Sequence, residues 1–496
     1  MKIFKKLHFL CLLQYLLLDD FSIYSHGNLL KKLILRNIYI YIYNMYNPFV
    51  VRIENKNIDL TKLNSKVVMS TLINQPKFSN GFHFFIHRTK DAMAITNKLE
   101  SKEKFYLIVS PFEHRTPDWK EDLNRRTRKY FGITKEEPRI LSRAFYKMWE
   151  IMMYFNLANE KYHTHAALAE GPGAFIQAVI KYREKFGFND NNDKSFGVTI
   201  HPEKGNYIEM GKQFMSYYGK KFPGLLNIHK TYPKTTAVKY KSRDNGDITD
   251  VKTISNFKKD IKKSKRYASL VTADGGFEWD NENYQEQEAY RLVLGQIVGA
   301  LRVQNKGGAF VLKLFETFTD VTIKMIMITS SFYDEAYIFK PFYSRSSNSE
   351  RYLVVKGFKY DQKKDKKYID SQLEVLENVL TQMNTNMFTC DIFSDLKISN
   401  TIHNQFRYIN IKIANKQQIM INKIVLYIKG NNYFGEKYHN YRDEQIKAVN
   451  WWVNNFYPDN TNYKAVQKTS IGELEKMVHY NMKEIQNFSK TLISNK

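Results

Sequence analysis

Between residues 136 and 360, short apolar runs alternate with helix-length amphipathic segments, and this alternation restricts the fold more than any other feature. "HAALAEG", "SFGVTIHP", "YASLVTADGGF", "GGAFVLKLF" and "RYLVVKGF" read as strands, rich in β-branched or small residues and closed by turns. "SRAFYKMWEIMMYFN" and "EQEAYRLVLGQIVGALRVQ" repeat apolar residues at three- and four-residue spacing, the period of a helix with one buried face. The expected fold class is therefore α/β, a mostly parallel sheet covered on both faces. In such a sheet ligands bind beyond the carboxyl ends of the strands.

Four features fall at or near those ends: Gly171 and Gly173, His201 and Pro202, Asp274 with Gly275 and Gly276, and Lys313. "EGPGAF" lacks the glycine spacing of a dinucleotide fold and the Lys-Ser/Thr of a phosphate loop. Its glycines let backbone approach a ligand, and Glu170 offers a partner to a cationic amino group, which suits a zwitterionic nucleoside such as S-adenosylmethionine. Taken alone it also reads as a plain strand–helix turn. Lys313 is more telling, because a Lys inside an apolar strand costs free energy unless its ammonium is paired or reaches a cleft. Asp274 and Glu350 are the candidate partners, and Lys147, ahead of the glycine turn, supplies a second cation.

The order Lys147, Asp274, Lys313, Glu350 resembles the K-D-K-E tetrad of the FtsJ-like (RrmJ-type) ribose 2′-O-methyltransferases. "FVLKLFETFT", "FKPFYSRSSNSERYLVVKGF" and "TADGGF" are similar to the words of the eukaryotic and viral mRNA cap 2′-O-methyltransferases. "EGPGAFIQA", "TIHPEKGN" and "EQEA" look most like the Adrift-type branch, which acts on the second transcribed nucleotide, while "NGDITD" resembles both branches. The resemblance covers about 140 to 360. It implies a Rossmann-like sheet with an antiparallel last strand, flanked by helical N- and C-terminal extensions. It also implies S-adenosyl-L-methionine as cofactor, held on Gly171, Pro172 and Gly173, with Phe196 and "TIHP" near the adenosine and Asp247 and Asp274 at the border. Phe196 stands where some relatives have Trp. The implied catalytic set is Lys147, Asp274, Lys313 and Glu350, with Lys313 accepting or steering the ribose 2′-OH proton. The implied partner is RNA, at the capped 5′ end of mRNA, alongside capping or transcription machinery, in the cytoplasm, nucleus or a viral factory. Two alternatives stand beside this: a ribosomal or transfer RNA 2′-O-methyltransferase, and an inactive RNA-binding capping subunit.

The rest of the chain is less specific. The hydrophobic share of 43% and aromatic share of 15% fit a folded protein. The net charge of +26 favours an anionic partner, nucleic acid first. Abundant Lys, Asn, Ile and Tyr also fit codon bias in an A/T-rich genome. Residues 1–45 carry a basic start and an apolar run, Leu7 to Leu18, of signal-peptide length and too short to span a bilayer comfortably. An upstream start codon, with Met45 as an alternative beginning, is the preferred reading, a leader or anchor the other, and no stable membrane association is expected. Residues 46–135 hold "DWKEDLNRRTRKYFG", where Arg125, Arg126, Arg128 and Lys129 suit phosphates and Tyr130 and Phe131 suit a base, or the run is a solvated helix face. Residues 361–496 read as mixed helix and loop, with Trp451, Trp452, Phe456 and Tyr457 as a packing cluster or a stacking surface. Cys11 and Cys390 cannot build a disulfide framework, and no Cys/His cluster suggests zinc, so no metal ligands are assigned.

Overall fold

The strands read from the sequence form the middle of an eight-stranded sheet in the computed structural model of the chain. The model describes residues 49–76, 80–98, 105–113, 123–201, 209–277, 281–383, 386–430, 435–459 and 462–494. In chain order the strands are β1 (Phe49–Arg52), β2 (Val68–Ser70), β3 (Thr164–Leu168), β4 (Lys194–Val198), β5 (Leu226–Ile228), β6 (Ala268–Ala273), β7 (Gln304–Leu314), β8 (Tyr333–Lys340), β9 (Arg351–Phe358) and β10 (Phe388–Asp391). The sheet order is β1-β8-β9-β7-β6-β3-β4-β5. Strands β5, β4, β3, β6 and β7 pair in parallel. β9 runs antiparallel to both β7 and β8, as the "RYLVVKGF" segment was expected to do.

Two departures from the sequence reading concern the N-terminal segment and the edges. β1 pairs antiparallel with β8, and β2 forms a two-stranded ribbon with β10, so residues 46–135 are not a purely helical extension. β5 is too short, at three residues, to leave a periodic signature, and β8, "YDEAYIFK", is continuously buried only from Ala336 onward.

The helices used below are α1 (Asn80–Asp91), α2 (Leu123–Phe131), α3 (Ala144–Phe155), α4 (Ala174–Lys185), α5 (Lys212–Lys221), α6 (Val251–Lys263), α7 (Tyr290–Val303), α8 (Asp320–Ser331), α9 (Lys366–Gln382), α10 (Asn400–Lys429), α11 (Glu436–Phe456) and α12 (Tyr463–Ser494). Alternate residues of β3 face opposite layers, as the two-residue period of a strand requires. Ala166 and Leu168 join the main core, which gathers residues of α6, α7, α8, α9 and α10, whereas Ala167 packs with α4 and α5. Every residue of α3 from Phe145 to Phe155 is buried, because the C-terminal helices cover its outer side. Trp149 Nε1 donates to the Phe456 carbonyl at 2.8 Å, and Trp452 Nε1 to Glu150 Oε1 at 3.0 Å. Trp452, Phe456 and Tyr457 are buried, so the packing reading of that cluster holds. Among the described residues, no helix is long and apolar enough to cross a membrane.

Candidate active site

Lys313 lies one residue from the end of β7, directly across the ladder from Tyr352 on β9. Its Nζ donates to the Asp274 carbonyl at 2.7 Å and stands 3.3 Å from Asp274 Oδ1. Asp274 is there because β6 ends at Ala273 beside β7. Lys147 reaches in from α3 and donates to Glu350 Oε1 at 2.8 Å. All four residues expected from the sequence thus meet as two ion pairs at one end of the sheet.

A fifth residue joins the pairs and was not anticipated. The Tyr352 hydroxyl donates to Asp274 Oδ1 at 2.9 Å and stands 3.2 Å from Glu350 Oε1. Lys147 Nζ lies 5.7 Å from the centroid of the same ring. The signal was available: in a strand, Tyr352 shares a face with Glu350, two residues before it.

Burial pushes the Glu350 carboxyl up, but Lys147 and Lys313 outweigh it and hold the group well below the usual carboxylate range. The turn that carries Glu350 is itself held by buried groups. Lys340, at the end of β8, donates to the carbonyls of Glu350 at 2.7 Å and Asn348 at 2.9 Å and to Ser344 Oγ at 3.2 Å. Glu150, one turn after Lys147 on α3, accepts from the amides of Phe342 at 2.7 Å and Tyr343 at 3.1 Å. Burial pushes the Glu150 carboxyl up to about 8.

The glycine turn follows β3. Ala169 has φ of 54° and Gly173 φ of 110°, and the Gly171–Pro172 peptide is cis. A Cβ at Gly173 would lie 3.1 Å from Met210 Sδ and 3.2 Å from Phe214 Cε1, so space as well as φ calls for glycine. Glu170 differs from the expectation that it waits for a ligand's amino group. Its Oε1 accepts from Phe175 N at 2.8 Å and Ile176 N at 3.1 Å, so the carboxyl secures the start of α4. Burial, with Asp274 adding to it, pushes that carboxyl up to about 8.

The β4 end and the 244–250 loop close the next side. His201 N donates to the Asn245 carbonyl at 2.6 Å, and Gly246, with φ of 77°, presses its α-carbon against the Thr199 carbonyl. Asp244 Oδ1 accepts from Gly246 N at 2.9 Å and is itself 3.1 Å from His229 Nε2. Asp247 Oδ1 accepts from Thr249 N at 2.9 Å and Thr249 Oγ1 at 2.8 Å, so it also shapes its own turn. Gly275 N donates to Gln296 Oε1 at 3.0 Å. Gly171, Pro172 and Gly173 thus lie in the turn after β3, Asp274 in the turn after β6, and Asp247 in the 244–250 loop that pairs with the end of β4. Phe196, by contrast, is 3% exposed and belongs to the main core. Pro202 lies outside the described residues.

The basic helix α2 is partly used for packing. The Tyr130 ring stacks on Tyr457 at 4.3 Å with Lys185 Nζ 3.9 Å from its centroid, and Phe131 meets Trp149 at 5.1 Å. Those rings are engaged within the protein, while Arg125 and Lys129 remain exposed. Cys11 and the 1–45 segment lie outside the described residues, and Cys390 is a half-buried free thiol.

Residues 140–358 match the family model described as FtsJ-like methyltransferase. A protein named "Cap-specific mRNA (nucleoside-2'-O-)-methyltransferase 1" from Caenorhabditis elegans is 29% identical over 304 residues, covering 58% of this chain and 30% of that one. One of the same name from Trypanosoma cruzi is 30% identical over 221 residues, covering 42% and 52%. A Caenorhabditis briggsae relative, named "Inactive cap-specific mRNA (nucleoside-2'-O-)-methyltransferase 1B", is 27% identical over 301 residues, covering 58% and 32%. The chain thus spans about a third of the two nematode relatives and about half of the trypanosome one.

Proposed function

We propose, from a domain at residues 140–358 that belongs to the FtsJ-like methyltransferases, that the chain transfers a methyl group from S-adenosyl-L-methionine to a ribose 2′-OH at the capped 5′ end of mRNA. The observation that carries the reading is the paired tetrad, Lys147–Glu350 and Lys313–Asp274, assembled around the Tyr352 hydroxyl. S-Adenosylmethionine, when bound, supplies a methyl group already activated by its sulfonium. The residues that would hold it are Gly171, Pro172 and Gly173 with Asp247 and Asp274. The positive φ at Gly173 fits a cradle built from backbone. Lys313 holds the 2′-oxygen and takes or steers its proton, and Asp274 fixes the ammonium. Lys147 and Glu350 complete the charge balance, so positioning supplies much of the acceleration. The 2′-OH is also the group that distinguishes RNA from DNA.

One relative is named inactive, but this chain retains all four tetrad side chains within ion-pair distance, which favours an active enzyme. The test uses methyl-labelled donor and transcripts of one sequence: uncapped, capped, and capped with the first nucleotide already methylated, followed by nuclease mapping. Capped RNA is expected to accept label at a single 2′-position. Equal labelling of uncapped RNA would replace the cap reading with a ribosomal or transfer RNA one. The pre-methylated substrate decides the finer, Adrift-type expectation of the second nucleotide. Lys313→Ala is expected to slow transfer by roughly 10³-fold while donor affinity stays unchanged, and retained transfer would overturn the assignment.

A further inference from the structure

The segment just after Lys313 carries a second cluster that the proposed reaction does not use. Glu316 is buried beyond the end of β7, and α1 lays two histidines, His83 and His87, against it. Spacing of four residues puts both imidazoles on one face of the helix, with centroids 3.8 Å apart. One nitrogen from each ring and one Glu316 oxygen lie within 4.8 Å of one another. His87 Nε2 is already 3.1 Å from Glu316 Oε2. In a tetrahedral site with bonds of about 2.0–2.1 Å, ligand atoms are about 3.3 Å apart.

We propose that His83, His87 and Glu316 form a binding site for zinc or a similar borderline divalent transition ion, with a fourth position open to water. Two buried imidazoles and a carboxylate suit such an ion and do not suit magnesium or calcium, which prefer oxygen cages. His83 supplies the strongest hint. It is buried between His87 and Phe318, at ring centroids 3.8 Å and 5.0 Å away.

Lys90 is the feature that weighs against a cation. Its Nζ is 2.7 Å from Glu316 Oε1 and also donates to the Glu282 carbonyl at 2.9 Å. The carboxylate has two oxygens, however, and Lys90 occupies the one that faces away from His87. Lys90 then orients the ligand from outside, as outer partners of ligating carboxylates do, while its charge lowers affinity. Bound metal would pin α1, which precedes the 140–358 match, to the loop that continues the Lys313 strand.

The test uses the full chain, prepared without an affinity histidine tag, stripped with chelator and titrated with zinc chloride, then with cobalt(II). Expected are one zinc per chain, visible absorption bands of tetrahedral cobalt, and a melting temperature raised by about 2–4 °C with zinc in excess. His83→Ala and Glu316→Gln should each weaken binding by at least about 10-fold, and Lys90→Met should strengthen it. Absence of stoichiometric zinc and of the cobalt bands in the unaltered chain would overturn the proposal, whatever the variants do. So would zinc retained in full by His83→Ala.

Discussion

Glu350, half-buried, and Glu170, buried, are carboxyls at the ends of sheet strands, and their surroundings push them in opposite directions. Glu350 faces two ammonium groups and is held well below the usual carboxylate range. Glu170 faces only two helix amides and the nearby Asp274, and burial takes it up to about 8. The reacting end of the site is thus a set of compensated charges, whereas Glu170 beneath the glycine turn is held toward its neutral form. Opposed environments for neighbouring acids are how one site assigns separate tasks to like groups. Here one carboxylate steadies a cation and the other shapes backbone without adding a second negative charge.

The largest effect should come from breaking compensation at the reacting end. Glu350→Gln leaves the Lys147 ammonium buried without its partner, and loss of one member of a buried pair costs about 3–5 kcal/mol. Lys147→Met with Glu350→Leu removes both charges and should recover much of that stability while leaving transfer abolished. By contrast, Glu170→Gln at pH 7 exchanges one neutral group for another and should cost less than about 1.5 kcal/mol. Urea unfolding of the four proteins measures this, and equal costs for the two single variants would remove the distinction. A smaller effect is expected from Gly246→Ala. Its positive φ and the Thr199 carbonyl behind it leave no place for a methyl group, a strain of about 1–3 kcal/mol. Because the strain falls on the cradle, donor affinity should fall in calorimetric titration while the Lys147–Glu350 pair, read by its double-mutant coupling, stays intact.

The two ends also differ in how far the sequence disclosed them. Lys313 was legible because an ammonium in an apolar strand demands an explanation, and the strand-end rule then led to Asp274. The central parallel strands were legible from period and burial. The role of Tyr352 was not, since an aromatic in "RYLVVKGF" looks like any core residue until its hydroxyl is seen between two acids. Glu170 is ambiguous for a related reason: a carboxylate after a strand has the same signature whether it meets a ligand or secures a helix. β1 and the His83–His87–Glu316 cluster depend on contacts across more than two hundred residues. No local pattern carries such contacts.

The most delicate test of the contrast is its pH dependence. Glu170 binds its proton more tightly in the folded chain than its ordinary value of 4.5 allows, with a folded value of about 8. Its contribution to stability is therefore full below about 4.5, declines as pH rises, and is gone above about 8. Glu350 has the opposite sign, because its proton is held less tightly in the folded chain. Its contribution is full above the ordinary carboxylate value and is lost only in stronger acid. Between pH 5 and 8.5 the Glu350 contribution is flat, and the Glu170 one falls. Relative to Glu170→Gln, the unaltered chain should lose about 3–4 kcal/mol over that interval, a pKa unit being worth about 1.4 kcal/mol. Glu150 contributes equally to both proteins and cancels in the difference. Unfolding free energies of the pair at the two pH values provide the measurement. A difference that does not change with pH would mean that Glu170 is already ionised on its two amides, and that the cradle presents a negative charge beneath the donor.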